Sequence, residues 1–273
     1  MAKLDKRTVQ NTLCMPLWGR KIAAEKMPHL FPDLDAGRIC EELGVDLSDK
    51  FLYKMQDAWM NCLTRQYNFA CEIRAYLKEH PQAIVVEMGA GLSCLRRQMN
   101  NTQNKWYCLD LEDVIELREQ HIPKGELEEN IICDLNDFSW FDQIPFQKQD
   151  GIIFTAGGLF YYFHPDQVQR LLCAMAQHFS GGVIAFDAVN ALGLKGVNAE
   201  VKMSGNLVDS YFSLEDPKKE IEGWSDRLVN VIEKDYMFGY LKDAYHKTWL
   251  TWLFHKIMVL FHMSFMLHVE FRE

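Results

Sequence analysis

The chain has no closely spaced cysteine pair: its eight cysteines, at positions 14, 40, 62, 71, 94, 108, 133 and 173, never stand within three residues of one another. That spacing argues against a structural zinc site and against a disulfide framework. A signal-peptide core is missing too, since the opening MAKLDKRTVQ has no apolar run, and a reducing cytoplasm is the expected setting. Positive charge is scarce. With 29 Lys and Arg against 38 Asp and Glu, a net charge of −9 and no local basic cluster, neither nucleic acid nor an anionic membrane is an expected partner. Repeats, low-complexity runs and Pro/Gly/Ser linkers are absent, so nothing marks a boundary and residues 1–273 are expected to form one domain. No uninterrupted hydrophobic run is long enough to span a bilayer. The nearest, TWLTWLFHKIMVLFHMSFML from Thr248, is broken by His255, Lys256 and His262 and reads as a helix followed by a strand.

What is present is a chain that is 48% hydrophobic, enough for a substantial core. Between Met55 and Lys78 apolar residues recur at Trp59, Cys62, Leu63, Ala70, Ile73 and Leu77, the period of a helix with one buried stripe, with Arg65 off that stripe. After Pro81 short β-rich runs alternate with helical windows: Ile84–Met88, Trp106–Asp110, Asn130–Cys133, Gly151–Thr155 and Val183–Asp187. Such alternation demands crossover connections, hence a mostly parallel sheet covered on both faces. Pro165 to Phe179 is the clearest connector, with proline at its first position and Gly181-Gly182 as its stop. A capping box at Ser213–Asp216 opens a short helix to Gly223, and a strand near Leu228–Tyr236, a helix from about Tyr240 and a final strand at Met263–Phe271 close the chain. The expected architecture is α/β: a doubly wound, seven-stranded, mostly parallel Rossmann-like sheet, the last strand inserted antiparallel. Residues 1–80 form a helical N-terminal cap and residues 192–224 a candidate substrate lid.

In open α/β sheets ligands bind beyond the carboxyl ends of the strands, so chemistry is sought there. The first strand ends in Glu87-Met-Gly89-Ala-Gly91, glycines that let backbone approach a ligand. About twenty residues on, Asp110 ends the second strand, where an acid accepts hydrogen bonds from ribose hydroxyls. Asp134-Leu135 follows the third, where a carboxylate suits an exocyclic adenine amine. A dinucleotide asks for a third glycine where Cys94 stands, whereas S-adenosylmethionine has no diphosphate and tolerates the change. Glu87 also suits an ammonium and a sulfonium better than a diphosphate.

These residues resemble the class I S-adenosylmethionine-dependent methyltransferases, and within them the leucine carboxyl methyltransferase and tetracenomycin-type polyketide O-methyltransferase group. The likeness runs through NTLCMPLWGRKIAAEKMPHLFPDLDA from Asn11, VVEMGAGL, WYCLDLEDVIELR, IICDLNDFSW, TAGGLFYYF and VIAFDAVNALGLK, and its most specific piece is Asp110 to Arg118. The resemblance implies that Gly89, Ala90 and Gly91 line the methionyl part of the cofactor and that Asp110 and Leu111 meet the ribose. It implies further that Asp134 and Leu135 frame the adenine, that Arg65 grips the cofactor's carboxylate, and that Ala156 and Gly157 contribute backbone. The chain departs from many relatives in carrying Gly157-Gly158 in place of Glu-Gly, and Ser93-Cys94 in place of Asp-Thr. Tyr161 and Tyr162 are the expected acceptor-side residues, His164 a helix start, and Asp187 chiefly the holder of its own turn. The reading is an O-methyltransferase acting on a carboxylate, or second a hydroxyl, of a small-molecule methyl acceptor such as a polyketide-like acid, with no metal and no assigned catalytic residue. Its rivals are an NAD(P)-dependent oxidoreductase on a similar sheet and a non-catalytic nucleoside-binding relative.

Overall fold

The computed structural model describes residues 13–30, 32–48, 56–203, 208–236, 240 and 249–273. Among the described residues the helices α1 (Cys14–Lys26), α2 (Leu34–Leu43) and α3 (Gln56–Glu79) come first. Then follow β1 (Ile84–Met88), the single-turn α4 (Leu95–Gln98), β2 (Trp106–Asp110), α5 (Glu112–His121), β3 (Glu128–Ile132), β4 (Ile152–Ala156) and α6 (Pro165–His178). The chain continues with β5 (Val183–Val189), α7 (Ala191–Met203), α8 (Pro217–Trp224), β6 (Leu228–Asp235), α9 (Trp249–Leu260) and β7 (Ser264–Phe271). Strand order is β3-β2-β1-β4-β5-β7-β6. The first five strands are parallel, and β7 inserts antiparallel between β5 and β6 as expected. The order reverses beside β1, which places the ligand crevice of such sheets at the end of that strand.

Every residue of β1, β4 and β5 is buried, the mark of strands covered on both faces. On one face Val86, Phe154 and Ile184 pack under Leu171, Leu172 and Met175 of α6, with Trp140 and Phe179 filling the middle. On the other, Val85, Ile153 and Ala185 meet Phe69, Ile73 and Tyr76 of α3. Each such buried side chain contributes on the order of 1.5–3 kcal/mol. Helix α3 is therefore a layer of the sheet, and the cap expected over residues 1–80 contracts to α1 and α2, whose Leu17, Trp18, Ile39 and Cys40 cluster with Leu92 and Ile122. Within the stretch 192–224 expected as a lid, Phe212, Leu214 and Ile221 are buried with the sheet's core.

Boundaries differ from the sequence reading where polar residues decide them. β3 starts at Glu128, two residues before expectation, because that buried carboxylate is paired by Arg118 at 2.9 Å and Arg96 at 3.4 Å. α8 starts at Pro217 rather than at Ser213, its first turn capped by Asp216, which accepts the Lys219 N–H at 3.1 Å. The start of the helix expected from Tyr240 lies outside the described residues; α9 is described from Trp249. None of the described helices is long and apolar enough to cross a membrane.

Candidate functional site

Strand register decides which residues meet. Met88 is level with Leu109 on β2 and Ala156 on β4, Ala156 is level with Phe186, and Asp110 is level with Ile132. The residues that follow, Gly89, Asp110, Cys133-Asp134, Gly157 and Asp187, therefore line a single edge of the sheet.

The turn after β1 is clasped by both ends of the Asp110–Arg118 segment. Asp110 Oδ2 accepts the Gly91 N–H at 2.7 Å while Oδ1 accepts its neighbour Leu111 N–H at 2.8 Å. Arg118, on α5 and 2% exposed, reaches the same turn from behind and donates to Ser93 O at 2.6 Å and Gly91 O at 3.2 Å. Its other nitrogens donate to Asn130 and Glu128 of β3, so one guanidinium joins the turn to the third strand. Gly89 and Gly91 hold φ of +61° and +51°, left-handed conformations that disfavour any side chain. A Cβ on Gly89 would also come within 2.6 Å of Leu159, and one on Gly91 within 2.8 Å of Leu13, so these two leucines wall the turn. Burial pushes the Asp110 carboxyl up, against the pull of its two backbone donors.

At the far side of the rim Asp187 gathers three donors. Gly158 N–H donates to its Oδ1 at 2.6 Å, and Arg65 Nε and the Tyr161 hydroxyl donate to its Oδ2 at 3.0 and 2.9 Å. Glu200, half-buried on α7, completes the surroundings; burial pushes its carboxyl up and the charge of Arg65 pulls it down.

Comparison with protein-family models finds no match. Over 190 residues, 69% of this chain, the sequence is 25% identical to the tetracenomycin polyketide synthesis O-methyltransferase TcmP of Streptomyces glaucescens. That bears out the resemblance read from the motifs. The match spans 64% of the relative's length. Among solved structures, a candidate methyltransferase of Thermobifida fusca YX superposes with a TM-score of 0.58 at 13% identity, covering 98% of this chain and 96% of its own. Human N-acetylserotonin methyltransferase, solved in complex with SAM, gives a TM-score of 0.50 at 11% identity over 93% of this chain and 70% of that one.

The fold is that of the class I methyltransferases.

Within this methyltransferase fold the residues picked out in the sequence fall into three groups. Gly89, Ala90, Gly91, Asp110, Leu111, Asp134, Leu135, Ala156 and Gly157 all stand at the common rim. Asp134 is exposed and folds an Asx turn, its Oδ1 accepting from Asn136 N–H and Nδ2 at 2.9 Å, while Leu135 beside it is buried. Arg65 comes to the rim from α3 and lies over the Gly157-Gly158 backbone, where a Cβ on Gly158 would meet its Nη1 at 2.8 Å.

Three expectations need correction. Glu87 faces inward: its oxygens accept from Trp106 Nε1 at 2.7 Å and the Ser93 hydroxyl at 2.6 Å, and burial pushes its carboxyl up. It braces the turn rather than meeting a ligand's ammonium. Tyr161 is buried with its hydroxyl committed to Asp187, which takes it away from the expected acceptor side, while Tyr162 is half-buried. Asp187, read as the holder of its own turn, instead joins α3, the β4 end and β5. The motif alone does not disclose the role of Arg118, although Val114, Ile115 and Arg118 share one buried helical stripe, a spacing that marks an arginine committed to the interior.

Proposed function

We propose that the protein is an S-adenosylmethionine-dependent O-methyltransferase whose acceptor is the carboxylate of a small, polyketide-like acid. The observation that carries this reading is the single rim on which the Gly89–Gly91 turn, Asp110 and Asp134-Leu135 stand, with the turn's N–H already fastened to Asp110. Its chemistry suits an adenosine without a diphosphate. A diphosphate wants the N-terminus of a long helix and a third glycine; here α4 has four residues and begins after buried Cys94. The alignment with an O-methyltransferase of polyketide synthesis supports the acceptor class.

The roles follow from what each group offers. Asp110 accepts from ribose hydroxyls, Asp134 from the adenine amine, and Leu135 supplies an apolar face for the ring. The left-handed glycines present bare backbone to the methionyl chain, and Arg65 pairs its guanidinium with the carboxylate at the end of that chain. Bound there, the sulfonium supplies a methyl group whose leaving group is already activated. A carboxylate acceptor is ionised at neutral pH and would take up that methyl group without help from a base, the sulfonium becoming a neutral thioether. The protein's work is to align the acceptor in line beside Tyr162 and to keep water out.

Methyl-labelled cofactor offered with a panel of aromatic and polyketide-like acids and their phenolic counterparts tests this directly. Label that mild alkali releases, as expected of a methyl ester, supports the carboxylate acceptor. Alkali-stable label makes the acceptor a hydroxyl, and transfer to no compound of the panel counts against the enzyme reading.

A further inference from the structure

Asp187 ends up at the centre of an arrangement that needs an explanation beyond packing. It is 1% exposed, and a carboxylate that deep is costly unless its oxygens are bonded. Its three donors come from three separate parts of the chain: Gly158 N–H just past β4, the Tyr161 hydroxyl in the turn that follows, and Arg65 Nε from α3, 122 residues away in sequence. The arginine is a quarter exposed, so it is pinned at one edge while its side chain still reaches the rim.

The glycine pair makes room for this pose. Gly158 holds φ of +66°, and a Cβ there would sit 2.8 Å from Arg65 Nη1. At Gly157 a Cβ would lie 2.7 Å from Phe69 Cε2 and 3.3 Å from Arg65 Cδ. Side-chain-free backbone below, a carboxylate against Nε and a phenol holding that carboxylate leave the guanidinium little freedom. A guanidinium fixed beforehand loses less on meeting a carboxylate ligand than a mobile one does.

We infer that Asp187 is a positioning residue: with Tyr161 and the Gly157-Gly158 backbone it holds Arg65 in the pose that receives the carboxylate of the cofactor's methionyl end. This rests on the cofactor reading given above. Asp187 acts on the ligand's carboxylate through Arg65.

The test compares two nucleosides by calorimetry on the full chain, S-adenosylhomocysteine, which carries the carboxylate, and 5′-methylthioadenosine, which does not. Asp187→Asn is expected to weaken the first about tenfold and leave the second within about twofold, a split that general damage to the fold does not produce. Tyr161→Phe, which removes one donor and no charge, is expected to move the same ratio in the same direction by a smaller factor, and it keeps the test alive if Asp187→Asn does not fold. Equal loss for both nucleosides, or no loss for either, overturns the positioning role while leaving the cofactor reading standing. Wild-type protein that binds neither overturns both.

Discussion

At the scale of the single residue Asp110 carries two loads, since the carboxylate proposed to receive a ribose also holds the Gly91 and Leu111 N–H groups. Replacing it by alanine is expected to weaken S-adenosylhomocysteine by about 1–3 kcal/mol, read by calorimetry, while circular dichroism shows the fold retained. Only the ionised carboxylate accepts from both ribose hydroxyls. Because burial, outweighing its two backbone donors, raises the Asp110 pKa above its ordinary 3.8, affinity should start to fall at a higher pH than an exposed aspartate would give. Asp110→Asn should flatten that acid limb; a limb that survives the substitution assigns it elsewhere. Gly89→Ala combines a left-handed φ with a methyl group 2.6 Å from Leu159, and should cost about 1–3 kcal/mol in chemical denaturation.

Elements meet at the site through polar side chains more than through apolar ones. Arg118 ties the β1 turn, β2 and β3 together, and Glu128 is the buried charge it neutralises. Arg118→Met should lose about 3 kcal/mol of stability because it leaves buried Glu128 with only the longer Arg96 contact at 3.4 Å, and adding Glu128→Gln should recover part of that loss. Additive losses would mean the two do not act as a pair. The same elements show what a sequence discloses. Gly91 and Asp110 are 19 residues apart, a separation that a strand, crossover and strand fix by themselves, and their shared rim was legible. The Arg65–Asp187 pair spans 122 residues and depends on how α3 crosses the sheet, a packing angle that periodicity does not encode. The β3 boundary failed for a related reason: Glu128-Glu129 reads as loop until the arginines that neutralise Glu128 are known.

On the scale of the whole molecule, one buried carboxylate fastens the closing strands to the front of the chain. Glu72 on α3 accepts from Lys234 of β6 at 2.5 Å and from the Tyr240 hydroxyl, and lies 2.9 Å from His268 Nδ1 of β7. Burial pushes its carboxyl up, but the bonds from His268, Lys234 and Tyr240 outweigh it and bring the pKa down to about 2. A depressed folded-state pKa stabilises above the unfolded value and is lost as pH falls through the folded one, here between about 4.5 and about 2. Glu72→Gln should therefore be less stable than wild type by about 3 kcal/mol near neutrality, with the gap closing as denaturation is repeated at falling pH. A gap that persists at pH 2 would contradict the assignment. Whether the common rim of β1, β2 and β3 receives adenosine bearing a sulfonium rather than a diphosphate is decided by calorimetry of the purified chain with S-adenosylhomocysteine and, separately, NAD. Saturable binding of S-adenosylhomocysteine is expected, lost or weakened in Asp110→Ala, with no heat from NAD; tight NAD binding with none of the homocysteine nucleoside would overturn the assignment.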